Sequence, residues 1–234
     1  MSKLAVVTGG TKGIGRAIIE KFAAAGFDIV TCARKKADLE TLRSTLMAAY
    51  PVTVHVFAAD LSVRSQVSDF TAFVSKLGLT VDVLVNNAGF FTSGEVITEP
   101  EGVLERMVES NLYSAYYTTR GIAPEMKRTR RGHIFTMCSI ASIKAYPNGG
   151  SYAISKFALL GFSKVLREEL KEHGIRVTAV LPGATRTSSW DAVQHPEERF
   201  MKPEDVADAI YGAYLLSPRS VVEEIIIRPQ LGDL

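Results

Sequence analysis

Short runs rich in Val, Ile and Leu alternate with longer amphipathic stretches along almost the whole chain, and that alternation restricts the fold more than any other feature. The apolar runs fall at 4–8, 28–32, 53–58, 81–86, 133–138, 176–181 and 224–228. Several are nearly continuous in aliphatic residues, as expected of strands buried on both faces. Helical patterns lie between them at 16–25, 37–49, 64–77, 102–127, 152–173 and 203–216. Pro203 suits a first helical turn, and Glu204 and Asp205 behind it favour the positive end of a helix. Such alternation demands right-handed crossovers and predicts an α/β fold: a doubly wound, seven-stranded parallel sheet with helices on both faces. The 234 residues show no internal repeat and no low-complexity linker, so one domain spanning 1–234 is expected. Segment 183–202, with Trp190, His195 and Pro196, breaks the alternation after a strand's carboxyl end. Open α/β sheets bind ligands at that edge, so a short substrate loop is expected there.

A net charge of +2 gives no electrostatic case for nucleic acid or an anionic membrane surface. The basic cluster at 127–131 precedes Gly132 and an apolar run, which suits a solvated helix end. The first residues lack the apolar segment of about 7–15 residues that a secretory signal needs. No apolar stretch approaches the ~20 residues required to span a membrane. Cys32 and Cys138 both sit inside apolar runs and read as buried free thiols. A soluble, cytoplasmic protein without a metal is the expectation.

In Thr8-Gly9-Gly10-Thr11-Lys12-Gly13-Ile14-Gly15 the glycines follow the first strand run and open the first helical pattern. A strand-to-helix turn of this kind can aim backbone N–H groups at a phosphate. Glycine permits positive φ and close approach of a ligand to the backbone. The GxxxGxG spacing is neither the GxGxxG fingerprint nor a P-loop. A dinucleotide cradle and a purely structural turn therefore both remain open. An NAD site usually carries an acid about 20 residues beyond the glycines, on the ribose 2′-OH. Here the second run ends Thr31-Cys32-Ala33-Arg34-Lys35-Lys36, with no acid at its tip. A guanidinium at Arg34 suits a 2′-phosphate, and Lys12 can reach the same group. NADP is thus expected over NAD; Asp38, a weaker rival, falls inside the next helical pattern.

Tyr152 and Lys156 stand at i and i+4, on one face of a helix. An ammonium beside a phenol lowers the phenol's pKa, which lets the tyrosine exchange a proton with a substrate oxygen. The alternative is an exposed helix pair. Ser139 ends the fifth strand run, where its hydroxyl can polarise a carbonyl, and Ser142 lies close enough to be confused with it. Asn111 interrupts an otherwise good helical pattern, which calls for a bound water or a local kink.

Together these pieces resemble the short-chain dehydrogenase/reductase family. The likeness rests on the glycine loop, Asp60-Leu61, Asn86-Asn87-Ala88-Gly89, Asn111, Ser139, Tyr152-x-x-x-Lys156 and Pro182-Gly183-x-x-x-Thr187, in family order over residues 8 to 187. It implies a Rossmann-type fold and hydride transfer between a nicotinamide and a carbonyl or carbinol carbon, with no metal. Tyr152 would be the acid/base and Ser139 the carbonyl positioner. Lys156 would hold the ribose and support Tyr152, and Asn111 would hold a water of a proton relay. Gly9, Thr11, Lys12, Gly13, Ile14 and Gly15 would grip the pyrophosphate, and Asp60 and Leu61 the adenine end. Asn87, Ala88 and Gly89 would line the central cleft, with Pro182, Gly183, Thr185 and Thr187 by the nicotinamide. Phe90, Phe91, Ile140, Ser142, Tyr146 and Trp190 would form the substrate pocket, and His195 is expected to be an exposed loop histidine. The core is similar to 3-oxoacyl-(acyl carrier protein) reductases, which implies an acyl-thioester or small-molecule carbonyl substrate. Residues 139–150 also resemble reductases of small 3-hydroxy acids, and the C-terminus lacks the glycine-rich closing strand of the carrier-protein enzymes. The family points to a homodimer or homotetramer, consistent with apolar residues on more than one face of 102–127 and 152–173. A non-catalytic NADP-binding sensor is the reading from another class; the intact set Asn111, Ser139, Tyr152 and Lys156 argues against it.

Overall fold

The computed structural model describes residues 2–190 and 195–233. Seven strands form one parallel sheet: β1 (Lys3–Thr8), β2 (Phe27–Ala33), β3 (Val54–Ala58), β4 (Val81–Asn86), β5 (Gly132–Met137), β6 (Ile175–Pro182) and β7 (Glu224–Ile227). Their spatial order is β3-β2-β1-β4-β5-β6-β7, a doubly wound parallel sheet of the kind expected from the alternation of patterns. The order reverses between β1 and β4, which creates a crevice at the strands' carboxyl ends. Register brings Val7 beside Thr31 and Val85, and Asn86 beside Thr136, so the loops after β1, β4 and β5 emerge together.

The central strands are buried on both faces, which explains their unbroken aliphatic runs. On one face, α1 (Gly13–Ala24), α2 (Lys36–Ala49) and α7 (Pro203–Leu215) pack Ile18, Phe22, Leu42 and Ile210 against Val7, Ile29, Val85 and Phe135. On the other, α3 (Arg64–Lys76), α5 (Ser114–Thr129) and α6 (Gly150–Leu170) pack Phe70, Ile122, Met126 and Leu166 against Val6, Leu84 and Ile134. Both cysteines are buried and free. The basic cluster is a helix end as expected: α5 stops at Thr129, Arg130 adopts φ 51°, and Arg128 pairs with Glu125.

The stretch expected as one helix over 102–127 is divided. After α4 (Val103–Met107) comes a π-helical segment, Val108–Tyr113, before α5 begins. Asn111 sits inside that widened turn and is 1% exposed, so the break read from the sequence is a π segment, a feature found at functional sites. Helix α6 starts two residues earlier than its apolar periodicity implies, which places Tyr152 in the first turn. Of the loop expected at 183–202, residues 191–194 lie outside the described residues. In the remainder, Thr185 forms a parallel bridge with Met201. No helix among the described residues is long and apolar enough to cross a membrane.

Candidate active site

The strand-end loops enclose a cleft of about 520 Å³. Its walls contain Ile14 from the glycine loop, Asn87, Gly89, Phe90 and Phe91 after β4, Ser139, Ile140 and Tyr146 after β5, Tyr152 and Lys156 on α6, and Pro182, Gly183, Thr185, Thr187 and Trp190 after β6. Residues as far apart as 14 and 190 in the sequence thus converge on one volume.

Ser139 and Tyr152 face the cleft together, near enough for the Ser139 hydroxyl to act on the phenol. Ser139 is held from below. Its Oγ accepts from the Ala141 amide at 3.2 Å, and its own amide donates to Ser142 Oγ at 3.1 Å. This reciprocal cap opens the single 3₁₀ turn Ile140–Ser142. Ser142 is fully buried in that role and does not reach the cleft, so its expected place in the substrate pocket is corrected. The tight turn points its hydroxyl back at the Ser139 amide, which makes it a support for Ser139.

Lys156 lies 5.7 Å from the Tyr152 ring centroid and donates from Nζ to the Met137 carbonyl at 2.7 Å. It is only 7% exposed, and burial pulls its pKa down to about 8. The sequence leads one to expect the ammonium to depress the Tyr152 pKa. In the structure the phenol is instead raised, chiefly because burial disfavours the phenolate, with the neighbouring Ser139 hydroxyl acting the other way.

Asn111 acts as a clamp. Its Nδ2 donates to Phe90 O at 3.1 Å and Ser155 Oγ at 3.0 Å, while Oδ1 accepts from the Phe90 amide at 2.9 Å. The π segment thereby ties the wall after β4 to α6. Gly89 is needed for this approach, since a Cβ there would stand 2.6 Å from Asn111 Oδ1. Asn87 performs a similar service for the glycine loop, donating to Thr8 O at 2.8 Å and Gly9 O at 3.2 Å.

The loop itself is shaped for close approach. Gly9 and Gly13 have φ of 69° and 56°, and a Cβ on Gly15 would stand 2.5 Å from Gly9 O. Helix α1, which follows, has no side-chain cap and no acid in its first turn. Its leading N–H groups, next to Ile14 in the cleft wall, are an arrangement that suits an anion. Lys12 and Arg34 are exposed and make no ion pair among the described residues. The Asp60 carboxylate accepts from the amide and hydroxyl of Ser62, and Leu61 is packed into the core. Thr11 and Ala88 lie beside the cleft on the same loops without lining it. His195 is exposed.

Two charged wall residues have no counterpart in the sequence reading: Lys144 and Asp233. Asp233 accepts from Arg228 at 2.5 and 3.0 Å and pairs with Lys144 at 3.3 Å, and Arg228 above all holds its carboxyl below the usual range. No local spacing links positions 144 and 233, so nothing in the one-dimensional pattern reveals the pair.

The profile of the family described as short chain dehydrogenase matches residues 3–198. The chain belongs to that family. It is an oxidoreductase of the short-chain dehydrogenase fold, and the matched region carries every cleft residue except Asp233. Among curated relatives, a sepiapterin reductase of Chlorobaculum tepidum is 34% identical, spanning 100% of this chain and 99% of that protein. Among solved structures, an alcohol dehydrogenase from Thermococcus sibiricus complexed with 5-hydroxy-NADP has a TM-score of 0.92 at 29% identity, covering 98% of this chain and 97% of that one. A 3-oxoacyl-[acyl-carrier protein] reductase from Brucella melitensis has a TM-score of 0.87 at 27% identity, covering 97% and 90% respectively.

Proposed function

We propose that this oxidoreductase interconverts a carbonyl and a secondary alcohol with NADP, using Tyr152 as the acid/base. The observation that carries the reading is the meeting of Ser139, Tyr152 and the buried Lys156 in one cleft wall. The glycine cradle and the uncapped start of α1 fit a dinucleotide pyrophosphate, and Asn87, Gly89, Thr185 and Thr187 fit the cleft beyond it. Arg34 and Lys12 would hold the 2′-phosphate, which supports NADP over NAD. When bound, the nicotinamide supplies the hydride.

The chain's own residues then do three things. Ser139 and Tyr152 hydrogen-bond the substrate oxygen and orient its carbon. Tyr152, whose burial keeps the phenol protonated at neutral pH, gives its proton to the developing alkoxide. Lys156 places positive charge next to the phenolate left behind. A phenol that holds its proton suits reduction, and oxidation of an alcohol should therefore improve as pH rises.

The aromatic walls, Phe90, Phe91, Tyr146 and Trp190, suit a substrate with an apolar or planar body. Sepiapterin heads the substrate panel, because the relative of that name matches over both full chains. A β-ketoacyl thioester and small 3-hydroxy acids test the other resemblances. Exposed Ile154 and Phe157 on α6 support a homodimer or homotetramer, for which light scattering is the check. In the NADPH-linked assay, Tyr152→Phe is expected to lower turnover about 100-fold or more. Unchanged turnover would overturn the assignment.

A further inference from the structure

Helix α6 carries Tyr152 and Lys156, yet it has neither a capping side chain nor an acid in its first turn. Four leading N–H groups of a helix need partners, and its positive end favours an anion. Glu99, from the loop between β4 and α4, supplies one across 52 residues of sequence. Its Oε1 accepts from the Ser151 amide at 3.0 Å, and its Oε2 accepts from the Ser151 hydroxyl. Ser151, next to Tyr152, is 3% exposed.

The surroundings are built for that carboxylate. Gly150, at φ 36°, has no room for a Cβ, which would collide with Glu99 Oε1 and Gly94 O. A Cβ on Gly94 would stand 2.6 Å from Glu99 Cγ. Glu99 is itself fixed by its amide, which donates to Glu95 O at 2.8 Å. Two further bonds fasten the same loop to the segment before α6: Gly94 N to Asn148 O at 3.1 Å, and Ser93 Oγ to Asn148 O at 3.2 Å. The loop also carries Phe91, whose ring meets Tyr152 edge-on with centroids 4.9 Å apart.

We propose that Glu99 is a positioning residue for the reaction: it caps the helix that bears the acid/base and fixes the pocket wall against the Tyr152 ring. This inference rests on the assignment of Tyr152 as acid/base. A charge-assisted cap from another loop holds the first turn of α6 more firmly than a local turn would. Proton transfer depends steeply on where the phenol stands, and a displacement of about 1 Å can cost about 100-fold.

The test uses the full chain with NADPH and an accepted carbonyl substrate. Glu99→Ala is expected to lower kcat about tenfold to 100-fold, with NADPH affinity unchanged and faster hydrogen exchange at the Ser151 amide. Glu99→Gln, which keeps an oxygen for that amide, should recover most of the loss, and Ser151→Ala should show a smaller deficit of the same kind. If Glu99→Ala does not fold, Ser151→Ala decides, since it leaves the Glu99 loop intact. Normal kcat in Glu99→Ala or, where that does not fold, in Ser151→Ala, or a loss of NADPH affinity equal to that of kcat, would overturn the proposal. So would an unchanged Ser151 exchange rate. If Tyr152→Phe leaves turnover intact, the acid/base assignment fails instead, and the exchange measurement still decides whether Glu99 holds the helix.

Discussion

Helices α1 and α6 begin alike and are completed differently. Each starts at a glycine, carries no capping side chain and no acid in its first turn, and presents a first-turn residue, Ile14 or Tyr152, to the same cleft. At α6 the Glu99 carboxylate accepts from the Ser151 amide and hydroxyl from across the loop. At α1 no acidic side chain among the described residues does so, and Gly13 and Gly15 face Thr187 and Asn87. A helix start finished by the chain's own anion is stiff and suits the placing of a reactive group. One that lacks such an anion suits binding a ligand's phosphate. The comparison assigns binding to the first helix and chemistry to the second.

That division can be broken by substitution. The largest expected effect is at α1. Gly15→Val drives a side chain into Gly9 O and the Asn87 amide, and overpacking of about 1–3 kcal/mol should weaken NADPH binding roughly 5- to 150-fold in a fluorescence titration. Turnover at saturating NADPH should suffer less than binding. Gly150→Ala should do the reverse. By expelling the Glu99 carboxylate it should reproduce the kcat deficit of Glu99→Ala while NADPH affinity stays near wild type. Arg34→Ala sharpens the binding half: removing a charge-assisted contact should cut the preference for NADPH over NADH roughly tenfold, read from the two dissociation constants. Unchanged discrimination would show that the 2′-phosphate is held elsewhere.

The smallest effect concerns stability on α1's side of the sheet. His133 is fully buried there, stacked on Phe135 at 3.9 Å, with Nε2 2.7 Å from Thr178 Oγ1. Because that hydroxyl donates to Val222 O, Nε2 is the donor in this bond. Burial, with Arg176 nearby, lowers its pKa from 6.5 to about 2. The unfolded chain therefore binds the extra proton first, and folding stability falls as pH drops below 6.5. Going from pH 7 to pH 6 should cost about 0.7 kcal/mol at this residue. Denaturant titrations at the two pH values should show the difference shrink by that amount in His133→Leu.

Much of this architecture is legible in one dimension because it depends on period and spacing. Aliphatic runs give the strands, and the i, i+4 relation puts Tyr152 and Lys156 on one face. Asn111 within a helical pattern announces a break, which the fold realises as a π segment. What escapes such reading is whatever depends on tertiary distance. Glu99 meets Ser151 across 52 residues and Lys144 meets Asp233 across 89, so neither pair has a local signature. Ser142 follows the same logic: proximity to Ser139 is visible, but only the tight turn decides that it faces inward. The Tyr152 pKa goes the other way from the sequence expectation because of burial, which is invisible in a motif.

The central claim is reduction of a carbonyl by hydride from NADPH with a proton from Tyr152. It is tested most directly with NADPH carrying deuterium at the transferable C4 position, incubated with an accepted carbonyl compound and followed by mass spectrometry of the product. The account predicts deuterium on the carbinol carbon with the wild-type chain and almost none with Tyr152→Phe over the same time. Consumption of NADPH without deuterium in the product, or equal labelling by the two proteins, would contradict it.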